Sequence, residues 1–104
     1  MRSTLIYFDN DLQEEFSIPA FEDVTPSTLR EKYDDAVYRA IYESLIRLAA
    51  NPEWEAIPCF AMNGVIFEID RGAHEEHYQN CLNYFTASEE FEICAHLVRL
   101  NGIL

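Results

Sequence analysis

Basic residues are scarce in this sequence. The chain of 104 residues has seven Lys and Arg side chains against 19 Asp and Glu side chains, which gives a formal net charge of −12. A surface this acidic repels phosphate groups, so the composition argues against direct binding of nucleic acid or of anionic membranes. The deficit is uneven, because residues 3–24 contain six acidic residues and no basic one, whereas residues 25–50 contain four of each.

Long apolar runs and paired cysteines are also missing. No stretch approaches the roughly 20 apolar residues that span a bilayer. The apolar run at 5–8 ends at Asp9 with no small-residue cleavage site, so we expect no signal peptide. Cys59, Cys81 and Cys94 are odd in number, and their spacing fits no disulfide framework. These absences predict a cytoplasmic protein with reduced thiols. The chain also has no recognisable catalytic or cofactor motif, so we expect neither an enzyme nor a bound cofactor.

The strongest local signal is a β-hairpin over residues 57–70. Two apolar runs are separated there by Asn63-Gly64, and a two-residue type I′ turn needs positive φ at both central positions. The second run, Val65–Ile69, is β-branched and aromatic and suits a central strand. Pro58 in the first run suggests that this strand lies near a sheet edge at that end.

Three amphipathic segments predict helices at about 26–50, 73–86 and 88–101. The first begins with a Thr25 cap followed by Pro26 and ends before Asn51-Pro52. Its apolar face is wide, so either two sides of this helix are covered or part of it is a contact surface. For the last segment Thr86 and Ser88 are rival N-caps. Its period also fits a strand over 90–100, and the capping signals favour a helix.

Together these elements predict a single α+β domain over residues 1–104. A strand at 4–8 and a short return strand at 15–18, limited by Pro19, precede the long helix. We expect a small, mainly antiparallel sheet with the hairpin at its centre and about three helices packed on one face.

One cluster could bind a metal ion. His74, His77 and Cys81 have helical spacing, and Cys94 or His96 could supply a fourth zinc ligand. The alternative is that His77 and Cys81 belong to the apolar stripe of their helix. Structural zinc sites usually show closely paired ligands, so we predict no metal site.

The acidic surface is the remaining candidate for function. Clustered carboxylates attract basic partners, and aromatic side chains between them can anchor an interface. The residues expected to bind a partner are Asp9, Asp11, Glu14, Glu15, Glu22, Asp23, Trp54, Glu68, Asp70, Glu75 and Glu76.

This surface predicts an inhibitor that blocks a basic, nucleic-acid-processing protein, such as a toxin nuclease. Immunity proteins and antitoxins have this profile, and so do the DNA mimics that phages use against host defence. A small metal-binding protein or a structural adaptor are the alternatives. The sequence leaves the oligomeric state open.

Overall fold

The structure, a computed structural model, describes residues 2–104 apart from the side chain of Arg2. Four strands and four helices follow one another within these described residues. They are β1 (Arg2–Asp9), β2 (Glu14–Phe21), α1 (Pro26–Lys32), α2 (Asp34–Ala50), β3 (Ala56–Met62), β4 (Val65–Asp70), α3 (His74–Ala87) and α4 (Phe91–Ile103), with a short 3-10 turn at Arg71–Ala73 before α3. No helix in this described part is long and apolar enough to cross a membrane.

The four strands form one mixed sheet in the order β1-β2-β3-β4. β1 pairs with β2 and β3 pairs with β4 in antiparallel fashion, whereas β2 and β3 run parallel. The parallel contact is short and involves only the last two residues of β2, Ala20 and Phe21. The predicted α+β class and the mainly antiparallel sheet are confirmed.

The hairpin forms where the sequence predicts it. Asn63 and Gly64 both have positive φ, +50° and +83°, as a type I′ turn requires. The Asn63 side chain also accepts a hydrogen bond from the Val24 N–H at 3.1 Å and donates one to the Val24 carbonyl at 2.6 Å. The turn is therefore tied to the segment that follows β2.

The position of β4 corrects one expectation. Its β-branched sequence suits a central strand, yet β4 lies at the sheet edge, with Val65 58% and Phe67 40% exposed. The central place belongs to β3, because β2 adds to its free side. β2 itself is longer than the predicted 15–18 and includes Pro19. β3 pairs with β2 only at Ala20 and Phe21. The earlier part of β2, which includes Pro19, has no partner strand on that side. The N–H that proline lacks therefore removes no hydrogen bond between β2 and β3.

The predicted helix over 26–50 is two helices. Thr25 caps α1 as expected, because its side chain accepts a hydrogen bond from the Thr28 N–H at 3.1 Å. The helix is interrupted at Tyr33, whose φ of −123° and ψ of 17° lie outside the helical region. The Tyr33 ring packs on Phe21 at 5.2 Å between centroids. This contact with the end of β2 accompanies a break that helical periodicity does not reveal.

Helix α2 packs against both the sheet and the other helices. It contacts β2 and β3, and it also contacts α3 and α4. Tyr38 stacks on Tyr84 at 4.4 Å between centroids, and Tyr42 meets Phe85 edge-on at 6.0 Å. The wide apolar face of this helix is thus covered on two sides, which resolves the alternative left open by the sequence.

The last two helices are joined differently from the prediction. α4 begins at Phe91, three residues after the predicted start, and neither Thr86 nor Ser88 caps it. Instead Ser88 is the C-cap of α3, and its hydroxyl donates to the Tyr84 carbonyl at 3.2 Å. Glu89, at φ +61°, then turns the chain into α4. The helical assignment of 90–100 is confirmed.

Candidate functional site

Sheet topology collects acidic residues at one end of the molecule. β2 and β3 are parallel, so their N-terminal ends lie at the same end of the sheet. β1 and β4 are antiparallel to these strands and finish there too. We use the term acidic end for the exposed carboxylates in the β1–β2 turn and at the start of β2, before β3, at the end of β4 and in the first turn of α3. They are Asp11, Glu14, Glu15, Glu53, Glu55, Asp70, Glu75 and Glu76.

The carboxylates of the acidic end are almost without internal partners. Among the side chains that the structure describes, those of residues 3–104, the one ion-pair contact that any of them makes is a long one, 3.7 Å from Glu75 Oε2 to His74 Nε2. The two arginines close to this end are used internally. Arg47 lies over the Phe16 ring at 5.4 Å, and Arg71 binds backbone carbonyls. Neither arginine forms an ion pair with these carboxylates, and the eight carboxylates outnumber the two arginines, so this end keeps a net negative charge.

Arg71 holds the acidic end together. Its Nε donates to the Trp54 carbonyl at 2.7 Å, and its Nη2 donates to the carbonyls of Leu48 at 2.6 Å and Asn51 at 2.7 Å. Its own N–H donates to the Glu55 carbonyl at 2.7 Å. Arg71 thus joins the C-terminal end of α2, the loop before β3 and the end of β4. Its positive charge also interacts favourably with the negative, C-terminal end of the α2 dipole.

Trp54 is an aromatic side chain at the acidic end. It is half-buried between Glu53 and Glu55 in the sequence, and its ring meets Phe16 edge-on at 5.8 Å. This contact joins the loop before β3 to the start of β2. A partly exposed indole fixed among carboxylates can contact a partner with little loss of side-chain entropy.

Asp9, unlike the other carboxylates predicted to bind a partner, is buried. It is only 8% exposed, and its Oδ1 accepts hydrogen bonds from the N–H groups of Asp11 at 2.9 Å and Leu12 at 3.1 Å. This is the arrangement of an Asx turn. The carboxylate shapes the β1–β2 turn and offers little surface to a partner.

Three other predicted residues lie outside the acidic end. Glu22 and Asp23 follow β2 and therefore lie at the far end of the sheet. Glu68 lies on β4, exposed and two residues before Asp70. The structure thus divides the predicted surface: Asp11, Glu14, Glu15, Trp54, Asp70, Glu75 and Glu76 come together, whereas Glu22 and Asp23 do not join them.

Two carboxylates at the far end are ion-paired. Arg39 binds Asp35 at 2.8 Å and Glu90 at 2.7 Å, which joins α2 to the start of α4. Hydrogen bonds to these two carboxylates raise the pKa of Arg39 above its ordinary value. The Tyr84 hydroxyl donates to Asp35 at 2.8 Å.

The histidine and cysteine residues on α3 contact other groups and do not converge on one point. The Cys81 thiol is fully buried and points to the Tyr38 carbonyl at 3.6 Å, and burial raises its pKa to about 12. His74 Nδ1 lies 2.9 Å from the Arg71 carbonyl oxygen. No three His, Cys, Asp or Glu side chains within residues 2–104 are grouped so that they could hold a metal ion.

A groove of about 480 Å³ opens between α1, α2, α3 and the second hairpin, away from the acidic end. Its wall is mainly apolar, with two charged side chains and one amide. The residues that line it are Pro26, Leu29, Arg30, Asp34, Val37, Tyr38, Ile41, Phe60, Met62, Phe67 and Asn80. The groove therefore contributes nothing to the acidic end.

Sequence reasoning missed the roles of three residues at this site. Arg71 is an isolated base between Asp70 and Gly72, and no local pattern in the sequence indicates that it binds backbone carbonyls of α2. Glu53 and Glu55 belong to the general acidic surface in the sequence, and only the pairing of β3 with β2 brings them to the β1–β2 turn.

The chain was also compared with known proteins. No family model, no curated protein and no solved structure matches it.

Proposed function

We propose that this protein is a stoichiometric inhibitor that binds a basic, nucleic-acid-processing protein through its acidic end. The observation that carries the proposal is the convergence of eight exposed, almost unpaired carboxylates from four separate segments onto one end of the fold. The partner class follows from charge, because an active site that holds phosphate must be positive. A compact acidic surface can occupy such a site.

Electrostatics supports fast binding in particular. Carboxylates concentrated on one surface raise the association rate with a positively charged partner, and the effect weakens as salt screens it. The eight carboxylates of the acidic end outnumber the two nearby arginines, Arg47 and Arg71, so the local field stays negative. Trp54 would supply the apolar anchor that purely electrostatic encounters lack.

The cellular setting fits an inhibitor that protects its own cell. All three cysteines are free, with Cys59 and Cys81 buried. Free thiols persist in reducing compartments, so we place the protein in the cytoplasm. The inhibitor that we propose is an immunity protein or an antitoxin. The alternative is a DNA mimic, and duplex DNA would then compete with it directly for the partner's active site.

The test is affinity capture from the source cells with three baits. One bait is the wild-type chain, and the second reverses the acidic end by Glu14→Lys and Glu15→Lys. The third reverses two exposed carboxylates at the far end by Glu31→Lys and Glu92→Lys, on α1 and α4. Both variants change the net charge equally, so unspecific binding of basic proteins falls equally in both.

The proposal expects a basic protein that the wild-type and far-end baits retain and that the acidic-end bait loses. The purified partner should lose its nucleic-acid-processing activity when one equivalent of the wild-type chain is added. Equal retention by the two variants, or binding without inhibition, would refute the proposal. Circular dichroism and thermal unfolding of each bait establish that the fold is intact.

A further inference from the structure

The edge strand β1 lacks the features that keep sheet edges from pairing. It is eight residues long, and its register with β2 runs without a shift from Arg2 to Asp9. Between these two residues it has no charged side chain and no proline. Proteins that remain monomeric usually protect such edges with charges, prolines, bulges or short strands. The opposite edge follows that rule, because β4 is shorter, carries Glu68 and Asp70, and pairs beside a register shift between Pro58 and Phe60.

Apolar side chains are exposed on this same edge. Ile6 is 68% exposed and Phe8 50% exposed, and Leu5 on the other face is 37% exposed. Ile6 lies opposite Ser17 of β2, on the face that the helices leave open. The edge therefore offers both unpaired backbone groups and an uncharged apolar strip, on a chain whose surface is otherwise strongly acidic.

We propose that β1 pairs with β1 of a second copy in antiparallel orientation, so that two sheets join into one of eight strands. An antiparallel edge is complementary to itself, because a two-fold axis places each N–H opposite a C=O. A register centred on Ile6 places the two Ile6 side chains opposite each other and Phe8 opposite Thr4 of the second copy. This register covers the most exposed apolar residues of the strip.

Charge favours this orientation. Two chains of net charge −12 repel each other, and the repulsion is smallest when they meet at a neutral surface such as the β1 edge. Antiparallel pairing puts the two β1–β2 turns about 30 Å apart, at ~3.4 Å per residue, well beyond the roughly 8 Å screening length at physiological salt. Parallel pairing would bring the acidic ends together.

The test is the oligomeric state of the full chain, measured by sedimentation equilibrium over a series of protein and salt concentrations. Wild-type protein should form a dimer that becomes stronger as salt rises, because salt screens the repulsion between the two chains. Ile6→Lys should weaken self-association at least about 100-fold, because the two-fold axis would bring two unpaired ammonium groups together in the interface. Val65→Lys is the matched control, since Val65 is 58% exposed on the opposite edge.

A second experiment fixes the register. In a Cys94→Ser background, Ile6→Cys should form an intermolecular disulfide under mild oxidation, whereas Val65→Cys should not, because only position 6 lies opposite itself. A wild-type chain that stays monomeric throughout the series would overturn the proposal. So would a dimer that Ile6→Lys and Val65→Lys disrupt equally, or one that neither variant disrupts. The salt dependence separates this contact from binding at the acidic end, which salt should weaken.

Discussion

Removing the Arg71 side chain should destabilise the fold by about 2–4 kcal/mol. Its guanidinium makes three hydrogen bonds to the carbonyls of Trp54, Leu48 and Asn51, all between 2.6 and 2.7 Å. Hydrogen bonds from a charged donor contribute about 1.5–3 kcal/mol each, so a simple sum exceeds 4 kcal/mol. Arg71 is half-buried, and water can reach part of the vacated site, so the expected loss is smaller than that sum.

The assay is urea unfolding followed by the fluorescence of Trp54, the one tryptophan of the chain, whose carbonyl accepts one of the three bonds. Arg71→Ala should lower the unfolding midpoint without changing the slope with urea. Arg71→Lys keeps the charge but has no planar group to bind three carbonyls, so it should lose nearly as much. Arg99→Ala, at an exposed position, is the control and should change stability by less than about 0.5 kcal/mol.

If Arg71→Lys were as stable as wild type, the charge and not the bonding geometry would be what matters, and the reasoning would fail. It would fail equally if Arg71→Ala cost no more than Arg99→Ala. Arg71→Ala could also lose all binding to the basic partner at temperatures where the variant remains folded. That result would show that the hydrogen bonds of Arg71 also order the acidic end for its partner.

Two further predictions concern the second hairpin turn and the thiols. Asn63→Ala should destabilise the fold by about 2–3 kcal/mol in urea unfolding, because it removes both hydrogen bonds to Val24 and puts alanine at positive φ; a loss below about 0.5 kcal/mol would contradict this role. Burial raises the pKa of Cys59 and Cys81 to about 12, so these thiols stay protonated at neutral pH, and a thiol reagent should modify the half-buried Cys94 first. Fast modification of all three thiols in the folded protein would contradict the burial of the first two.

Local signals predicted the local structure well. Asn63-Gly64 specified its turn because only a few residues accept positive φ at both central positions, and Thr25-Pro26 marked the start of α1 because cap chemistry acts within one turn. The break at Tyr33 could not be predicted in the same way. Its ring packs on Phe21 of β2, a contact between different elements that helical periodicity does not contain.

The site was predictable in composition and not in arrangement. The sequence showed many carboxylates, and their grouping depends on the parallel contact of Ala20 and Phe21 with Ala61 and Met62. That contact decides which strand ends share a side of the sheet, and so it separates Glu22 and Asp23 from the acidic end. The structural role of Asp9 was predictable from the Asp-Asn-Asp turn sequence. In such turns the first side-chain oxygen commonly accepts hydrogen bonds from the N–H groups two and three residues later.

The most direct test of the proposed function is the association rate constant of the captured basic partner with the wild-type chain and the two charge-reversed variants, measured as a function of salt. We expect Glu14→Lys with Glu15→Lys to slow association by about tenfold or more at low salt and to flatten the salt dependence. The far-end pair, Glu31→Lys with Glu92→Lys, should change the rate much less. Equal slowing by both variants, or no slowing by the first, would contradict a binding surface at the acidic end.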